Sequence, residues 1–228
     1  MRFKFEYQMA APAEKWLQSH GFITKREFVV PWGICDLVGC TLNKRNITKR
    51  RKYGQKKPIG PQLRIMILSQ IPDEEDHRSI SIGKLQRIFS DFLYENRIAY
   101  ELDKLQRDKF IKKTEKGELQ KLNGWMPLQR KVVALELKLT RINDALHQAI
   151  NNLEFADESY VGLPMEIGRH LIQSKKKNEF DGNGIGIVGI SDDKCRVLLK
   201  PKTKLSTVNK TLQTHCVERF WRIYPKGS

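Results

Sequence analysis

The chain lacks long apolar runs and closely spaced cysteines. No stretch of its 228 residues approaches the roughly 20 apolar residues of a membrane-spanning helix. The N-terminus, MRFKFEYQMAAPAEKW, has no apolar segment typical of a secretory signal, so we expect a cytoplasmic protein that does not engage membranes. No C-x-x-C pair is present, which argues against a zinc ribbon or finger. The four cysteines are predicted to be reduced core thiols: Cys35, Cys40, Cys195 and Cys216.

Acidic residues are few. There are 26 Asp and Glu against 42 Lys and Arg, and the net charge of +16 favours a polyanionic partner, above all nucleic acid or an anionic membrane surface. Between Asn43 and Lys57 no residue is acidic and eight are basic. A block of like charge is typical of a solvated segment, so residues 44–60 are predicted to form a basic linker or arm.

Residues 61–124 have the pattern of a separate small domain. Apolar residues at helical spacing predict three helices, the second of them capped by Ser79 or Ser81. A strand-turn-strand pattern at Lys116-Gly117 follows, and three helices before such a wing are the order of a winged helix-turn-helix. The alternative is a protein-binding role, which winged helices also serve.

The rest of the chain alternates between strand and helix patterns. Their order is α-β-β, then the insertion, then β-α-β-α-β-β-α, which predicts an α/β fold with a sheet covered on both faces. We therefore expect a core of residues 1–43 and 125–228, interrupted by the basic linker and the inserted domain.

Two charged residues stand out in the strand pattern VVALELKLT, residues 132–140. Glu136 and Lys138 lie on the same face of this strand, about 7 Å apart. Asp36 lies among aliphatic residues in another strand pattern, GICDLVGC. Buried charges are costly unless they are paired or bind a metal. Two such carboxylates suit Mg²⁺, with Mn²⁺ as a substitute, and Lys138 would orient or deprotonate the attacking water.

These motifs resemble the PD-(D/E)XK nuclease superfamily, which has the restriction-endonuclease-like fold. The resemblance rests on Asp36, on Glu136-Leu137-Lys138 in ALELKLT, on Gln148 in DALHQA and on Glu14 in APAEKW. It covers the core outside residues 44–124 and implies a mixed β-sheet flanked by helices. Cys35 stands where the family name has Pro, and the insertion separates the Asp and Glu strands by 100 residues.

The resemblance implies roles for these residues. Asp36 and Glu136 would bind the metal with the Leu137 carbonyl as a third ligand, and Lys138 would position the attacking water. Gln148 would complete the site, and Glu14 would supply the acid that is common in the first helix of the family. The expected activity is Mg²⁺-dependent cleavage of DNA by a nucleoid-associated endonuclease. The alternatives are a DNA-binding regulator or assembly factor with an inactive site, an RNA-processing nuclease, and a nuclease subunit that needs partner subunits.

The basic residues suggest how DNA would be held. The third helix of the insertion would enter the major groove, the wing would contact phosphates, and the arm would cross the backbone or enter the minor groove. Glu101, Asp103 and Asp108 on that helix oppose direct base reading. Cleavage of both strands would require two sites, as in a homodimer. The predicted nucleic-acid contacts are Lys49, Arg50, Arg51, Lys52, Arg97, Lys104, Arg107, Lys112, Lys113 and Lys116.

Overall fold

The architecture comes from a computed structural model that describes residues 3–91, 93–122, 126–202 and 208–221. The chain divides into two units. Unit 1 comprises Met1–Thr41 and Gln129–Gln213, and unit 2 comprises Leu42–Leu128 and Thr214–Ser228. No helix within the described ranges is long and apolar enough to cross a membrane.

Helices and strands alternate along most of the described chain. Two 3₁₀ helices, Glu6–Met9 and Glu74–Asp76, accompany the regular elements. In chain order these are α1 Ala10–Ser19, β1 Ile23–Val30, β2 Gly33–Leu42, α2 Lys44–Lys52, α3 Gln62–Gln70, α4 Ile82–Phe89, α5 Glu95–Arg107, β3 Ile111–Lys113, β4 Leu119–Lys121, β5 Gln129–Leu137, α6 Ile142–Asn152, β6 Glu158–Pro164, α7 Met165–Gln173, α8 Lys177–Asn183, β7 Gly186–Ile190, β8 Cys195–Leu199 and α9 Lys210–Glu218.

Unit 1 is an α/β fold built on a mixed sheet of six strands. The strand order is β1-β2-β5-β6-β7-β8, with β1 and β2 antiparallel and β5, β6 and β7 parallel to one another. Parallel neighbours need a crossover, and α6 and α7 provide it between β5 and β6 and between β6 and β7. The predicted α/β class, with a mixed sheet flanked by helices, is therefore confirmed.

Both faces of β5 are covered, because helices pack on each side of the sheet. Val133, Leu135 and Leu137 point into one core cluster with Met9 and with Ala13 and Leu17 of α1. On the other side, Ala145, Leu146 and Ala149 of α6 pack against Val161 and Leu163 of β6. Ala134 and Glu136 are also fully buried. The strand ends at Leu137, earlier than the sequence pattern predicted, and Lys138 lies just beyond it.

Unit 2 contains α3, α4 and α5 followed by the antiparallel pair β3-β4. Fourteen buried apolar residues of residues 59–119 form a single cluster, which includes Leu85 of α4 and Leu102 and Leu105 of α5. Ile80, before α4, is bridged to Leu119 of β4, and Asp73 is bridged to Lys121. The helices therefore pack on a small sheet whose hairpin turns at Gly117, where φ is +75°.

The basic segment differs from its prediction, because it folds as helix α2 within unit 2. Asn43 caps the helix by accepting hydrogen bonds from the backbone N–H groups of Arg45 and Asn46. Ile47 and Arg50 are buried. The Arg50 guanidinium binds both carboxylate oxygens of Glu218, and Glu218 also accepts a hydrogen bond from Ile59 N. These contacts explain why the end of α9 belongs to unit 2 and not to the expected core.

Candidate active site

Asp36 and Glu136 come from neighbouring strands, β2 and β5. Asp36 is about one-third exposed, and its Oδ2 accepts a 2.7 Å hydrogen bond from Leu137 N. Lys138 Nζ lies 3.7 Å from the same oxygen. The structure therefore brings together Asp36, Glu136, Leu137 and Lys138, although 100 residues separate Asp36 from Glu136 in sequence.

Glu136 is a buried carboxylate with one oxygen engaged and one oxygen open. Its Oε1 accepts a 2.6 Å hydrogen bond from Asn152 Nδ2. Its Oε2 is buried and has no hydrogen-bond partner among the described residues. Burial, and then the charge of Asp36, raises the pKa of Glu136 to about 7, although Asn152 and Lys138 act to lower it. A buried carboxylate oxygen without a donor in the protein is one that a bound cation would satisfy.

Asn152, which the sequence reading did not single out, fixes the orientation of Glu136. It is the last residue of α6 and is buried. Its Oδ1 accepts a 3.2 Å hydrogen bond from Trp32 Nε1, so the amide presents its NH₂ group to Glu136 and, at 3.5 Å, to Cys35 Sγ. The signal in the sequence is its position: Asn152 follows Gln148 by four residues and so lies on the same helix face.

Gln148 is placed one helical turn before Asn152. Its Oε1 is buried and lacks a hydrogen-bond partner in the described part of the chain. Gln148 and Glu136 each therefore present an unmatched acceptor oxygen. A buried acceptor without a donor costs roughly 1 to 3 kcal/mol, so each of these oxygens favours a bound partner.

Glu14 differs from its expected role, because other groups occupy its carboxylate. Thr24 Oγ1 donates to Glu14 Oε1, and Arg26 Nη2 lies 2.6 Å from Oε2, so Glu14 anchors α1 to β1. The acid that reaches the site is instead Glu6, in the preceding 3₁₀ helix. Its Oε1 accepts from Leu139 N at 3.2 Å, and its Oε2 lies 3.6 Å from Lys138 Nζ. No motif in the sequence distinguished Glu6 from other acids.

These residues fit the ligand preferences of magnesium. No group of three or more His, Cys, Asp or Glu side chains within the described ranges is arranged to hold a metal ion. The expected ligand set has only two side chains, Asp36 and Glu136, and its third ligand is the backbone carbonyl of Leu137. Mg²⁺ is bound by one or two carboxylates while it keeps several waters, so this oxygen set and the open Glu136 Oε2 suit it.

The predicted nucleic-acid contacts of α2 are only partly available. Arg50 is 2% exposed, lies over the Phe110 and Trp221 rings at 5.1 and 4.9 Å, and is therefore a core residue rather than a DNA contact. Arg51 is half-buried with its guanidinium 5.7 Å from the Trp221 ring. Lys49 lies 3.9 Å from Glu75, and Lys52 is exposed.

Two acids of α5, and Asp108 at its C-terminus, are paired with basic side chains of unit 2. Glu101 is fully buried and is bound by Arg64 and Arg97. Asp103 pairs with Arg107, and Asp108 pairs with Lys57. Arg97 Cζ and Lys104 Nζ each lie 5.5 Å from the centroid of the Tyr100 ring. The outward side of α5 therefore carries aromatic and basic groups.

On the wing, one of the three predicted lysines is engaged. Lys112 pairs with Glu74, whereas Lys113 and Lys116 are exposed. These two lysines flank the turn at Gly117, and neither forms an ion pair with the residues that the structure describes. They remain the most accessible cations of the hairpin.

Comparisons with known proteins assign no activity. No family model matches the sequence, and no curated protein matches it. Among solved structures, the chain is similar to the SPO1766 protein of unknown function from Silicibacter pomeroyi. The two share 13% sequence identity with a TM-score of 0.40, over 100% of this chain and 97% of that chain.

Proposed function

We propose that this protein is a metal-dependent DNA endonuclease with a PD-(D/E)XK-type site. The observation that carries the proposal is the pairing of Asp36 with the Glu136-Leu137-Lys138 segment across β2 and β5, with Glu136 Oε2 buried and open. The order of β5, the crossover helix α6 with Gln148, and parallel β6 supports a restriction-endonuclease-like core. In unit 2, the order of α3, α4, α5 and the β3-β4 hairpin supports an inserted winged helix.

Each residue has a distinct part in the proposed hydrolysis. Asp36, Glu136 and the Leu137 carbonyl would hold a magnesium ion, which when bound polarises a phosphoryl oxygen and lowers the pKa of a coordinated water. Lys138, held between Asp36 and Glu6, would orient the water that attacks phosphorus. The attacking water gives up a proton to solvent as the new P–O bond forms, while the bond to the leaving oxygen breaks and that oxygen takes up a proton from solvent. Asn152 keeps Glu136 in one orientation throughout.

A cleavage assay tests this proposal. Wild type, Glu136→Ala and Lys138→Ala would be incubated with plasmid, labelled single-stranded DNA and RNA, each with Mg²⁺, Mn²⁺ or EDTA. Loss of a metal ligand is expected to reduce cleavage by more than about a hundredfold. The matched control is Glu179→Ala, an exposed carboxylate on α8, which should cleave like wild type.

The substrate results separate the alternatives. DNA cleavage that requires metal and both residues supports the proposal, whereas cleavage of RNA alone would favour the RNA-processing reading. If DNA is bound equally by wild type and Glu136→Ala but never cut, the protein is a DNA-binding factor with an inactive site. Activity that appears only after addition of another polypeptide would identify a nuclease subunit.

A further inference from the structure

Two exposed aromatic side chains form a stack at the N-terminal end of unit 1. Phe5 is 56% exposed and Tyr7 is 71% exposed. Their ring centroids are 5.6 Å apart and their planes differ by 11°. Single exposed apolar residues are normal on protein surfaces, but these two present a continuous pair of parallel rings to solvent.

The aromatic pair is held in place by its own helical turn. Gln8 Oε1 accepts hydrogen bonds from Lys4 N at 2.7 Å and from Phe5 N at 3.0 Å, which closes the start of the 3₁₀ helix Glu6–Met9. Met9, at the other end of this turn, is fully buried in the core cluster of α1 and β5. The rings are therefore exposed on an anchored segment.

The same turn reaches the candidate active site. Glu6 lies between Phe5 and Tyr7 in sequence, and its carboxylate binds Leu139 N and lies 3.6 Å from Lys138 Nζ. The two rings therefore flank a residue that contacts Lys138. The stack is thus joined to Lys138 through a single residue of the same 3₁₀ turn.

Nucleobases are the ligands that such a stack suits. Every base has a π-face, and aromatic side chains bind unpaired bases by stacking with little dependence on sequence. Inside a duplex each base is already stacked between its neighbours, so an unpaired or displaced base offers a free face that an internal paired base does not. The exposed Lys4 beside Phe5 and the net charge of +16 favour a phosphate-bearing ligand over an apolar protein surface.

We propose that Phe5 and Tyr7 stack on an unpaired base of the DNA substrate next to the scissile phosphate. This inference rests on the proposed endonuclease function and narrows its substrate. The preferred DNA would carry a single-stranded segment at the cleavage position, as in an overhang, a flap or a junction. A fully paired blunt duplex would lack the base that the rings bind.

A binding experiment without catalysis tests this inference. The full chain carrying Glu136→Ala, in EDTA, would be titrated into DNA with 2-aminopurine placed either in a single-stranded tail or inside a blunt duplex. Stacking on the rings should quench the tail probe. The further change Phe5→Ala/Tyr7→Ala should abolish that quenching and raise the Kd for tailed DNA by between about fivefold and a hundredfold per ring. Its affinity for blunt duplex should not change.

Matched variants distinguish stacking from general loss of apolar surface. Phe5→Leu/Tyr7→Leu keeps apolar volume and should behave like the alanine pair, whereas the exchanged pair Phe5→Tyr/Tyr7→Phe should behave like the parent. Val29→Ala/Ile34→Ala removes two other exposed apolar residues, 60% and 55% exposed on the β1-β2 hairpin, and should leave quenching intact. Circular dichroism and thermal melting would verify that each variant is folded.

The outcomes separate this inference from the proposed function. Equal losses for tailed and blunt DNA, or unchanged quenching in the alanine pair, would overturn the stacking inference even if the wild type cleaves DNA. Ring-dependent binding of tailed DNA by a protein that cleaves nothing would retain the stacking site and overturn the nuclease proposal. Ring-dependent binding of a protein partner with no selective binding of tailed DNA would also overturn the inference.

Discussion

At the scale of single residues, Glu136 combines burial with a charge that the protein only partly compensates. One carboxylate oxygen is held by Asn152 and the other has no partner among the described residues. The charge of nearby Asp36 raises the pKa of Glu136 further, whereas the charge of Lys138 lowers it. The ionised form of Glu136 is therefore unfavourable until a cation is bound. A carboxylate whose pKa is raised by burial and by a second carboxylate is typical of a functional site.

The first prediction concerns stability as a function of pH. Glu136 has a folded-state pKa of about 7, above its usual 4.5, so folding is weakened as pH rises through this range. Glu136→Gln keeps the Asn152 hydrogen bond and removes the charge. In EDTA its gain over wild type in the free energy of unfolding should stay below about 1 kcal/mol at pH 5 and reach about 3 kcal/mol at pH 8.

Urea unfolding at both pH values measures this difference. Glu179→Gln, an exposed carboxylate, serves as the control and should show no such pH-dependent gain. An equal effect of Glu136→Gln at pH 5 and pH 8 would show that Glu136 does not titrate in this range.

The second prediction concerns Asn152 as a positioning residue. Its NH₂ group stabilises the ionised form of Glu136, so its removal should raise the pKa of Glu136 and move the rise of cleavage activity to higher pH. Asn152→Ala should reduce Mg²⁺-dependent cleavage at pH 7 by about 10- to 100-fold, with a smaller loss at pH 9.

The pH profile separates this role from simple structural damage. A loss of activity that is the same at every pH would contradict the positioning role, because misfolding does not shift a titration midpoint. Asn152→Asp places a second negative charge beside Glu136 and should shift the midpoint upward as well.

At the scale of secondary-structure elements, α2 shows how tertiary contacts override composition. Six of its nine residues are basic, in the sequence KRNITKRRK, which by itself predicts a solvated segment. Its basic C-terminal turn complements the helix dipole, and Asn43 caps its start. The decisive contacts are the burial of Ile47 and the pairing of Arg50 with Glu218. Glu218 follows 168 residues later, so no local pattern reveals this pair.

The third prediction follows from that pairing. Removal of one partner of a buried ion pair leaves the other charge unmatched, which typically costs 3 to 5 kcal/mol. Arg50→Met should therefore destabilise the protein by about this amount. Lys52→Met, an exposed position on the same helix, should change stability by no more than about 0.5 kcal/mol.

Chemical denaturation of both variants makes this comparison. The double variant Arg50→Met/Glu218→Leu removes both charges and should recover part of the lost stability. A destabilisation by Arg50→Met as small as that of Lys52→Met would show that the buried pair contributes little.

At the scale of the whole molecule, the net charge of +16 is combined with ion pairs that neutralise several acids of unit 2. Glu101 is enclosed by Arg64 and Arg97, and Asp103 pairs with Arg107. Such pairing leaves an excess of basic side chains on unit 2, including Lys113 and Lys116 on the wing. A basic surface of this kind binds nucleic acid largely through phosphate contacts, whose strength depends on salt.

The fourth prediction concerns that salt dependence. If 6 to 10 phosphates are contacted, DNA affinity should fall by roughly 10³- to 10⁵-fold between 50 and 200 mM salt. Lys113→Ala/Lys116→Ala should reduce the slope of log K against log salt by about 1 for each lysine that contacts a phosphate.

Fluorescence anisotropy over a salt series measures the slope. The control is Lys175→Ala/Lys177→Ala, which removes the same net charge from exposed positions of unit 1. If this control lowers the slope as much as the wing variant does, the wing lysines have no specific part in binding.

The sequence predicted much of the local structure but only part of the site. Alternation in β5 and the apolar face of α6 were visible because each depends on residues a few positions apart. Gln148, which shares a face of α6 with Asn152, was instead predicted from the family resemblance and not from spacing. Spacing could not show whether Glu14 or Glu6 contacts the candidate site, because that depends on which acid lies near Lys138 after folding. Arg50 was misassigned for the same reason.

The sequence by itself determined the α/β class and most of the helices and strands, although not α2, because these follow from spacing along the chain. Only the tertiary structure decided that Asp36 meets Leu137 N, that Glu6 reaches Lys138 in place of Glu14, and that Glu218 buries Arg50. Each of these contacts joins residues separated by 100 or more positions. Their formation depends on strand order and on helix packing, which short-range periodicity does not encode.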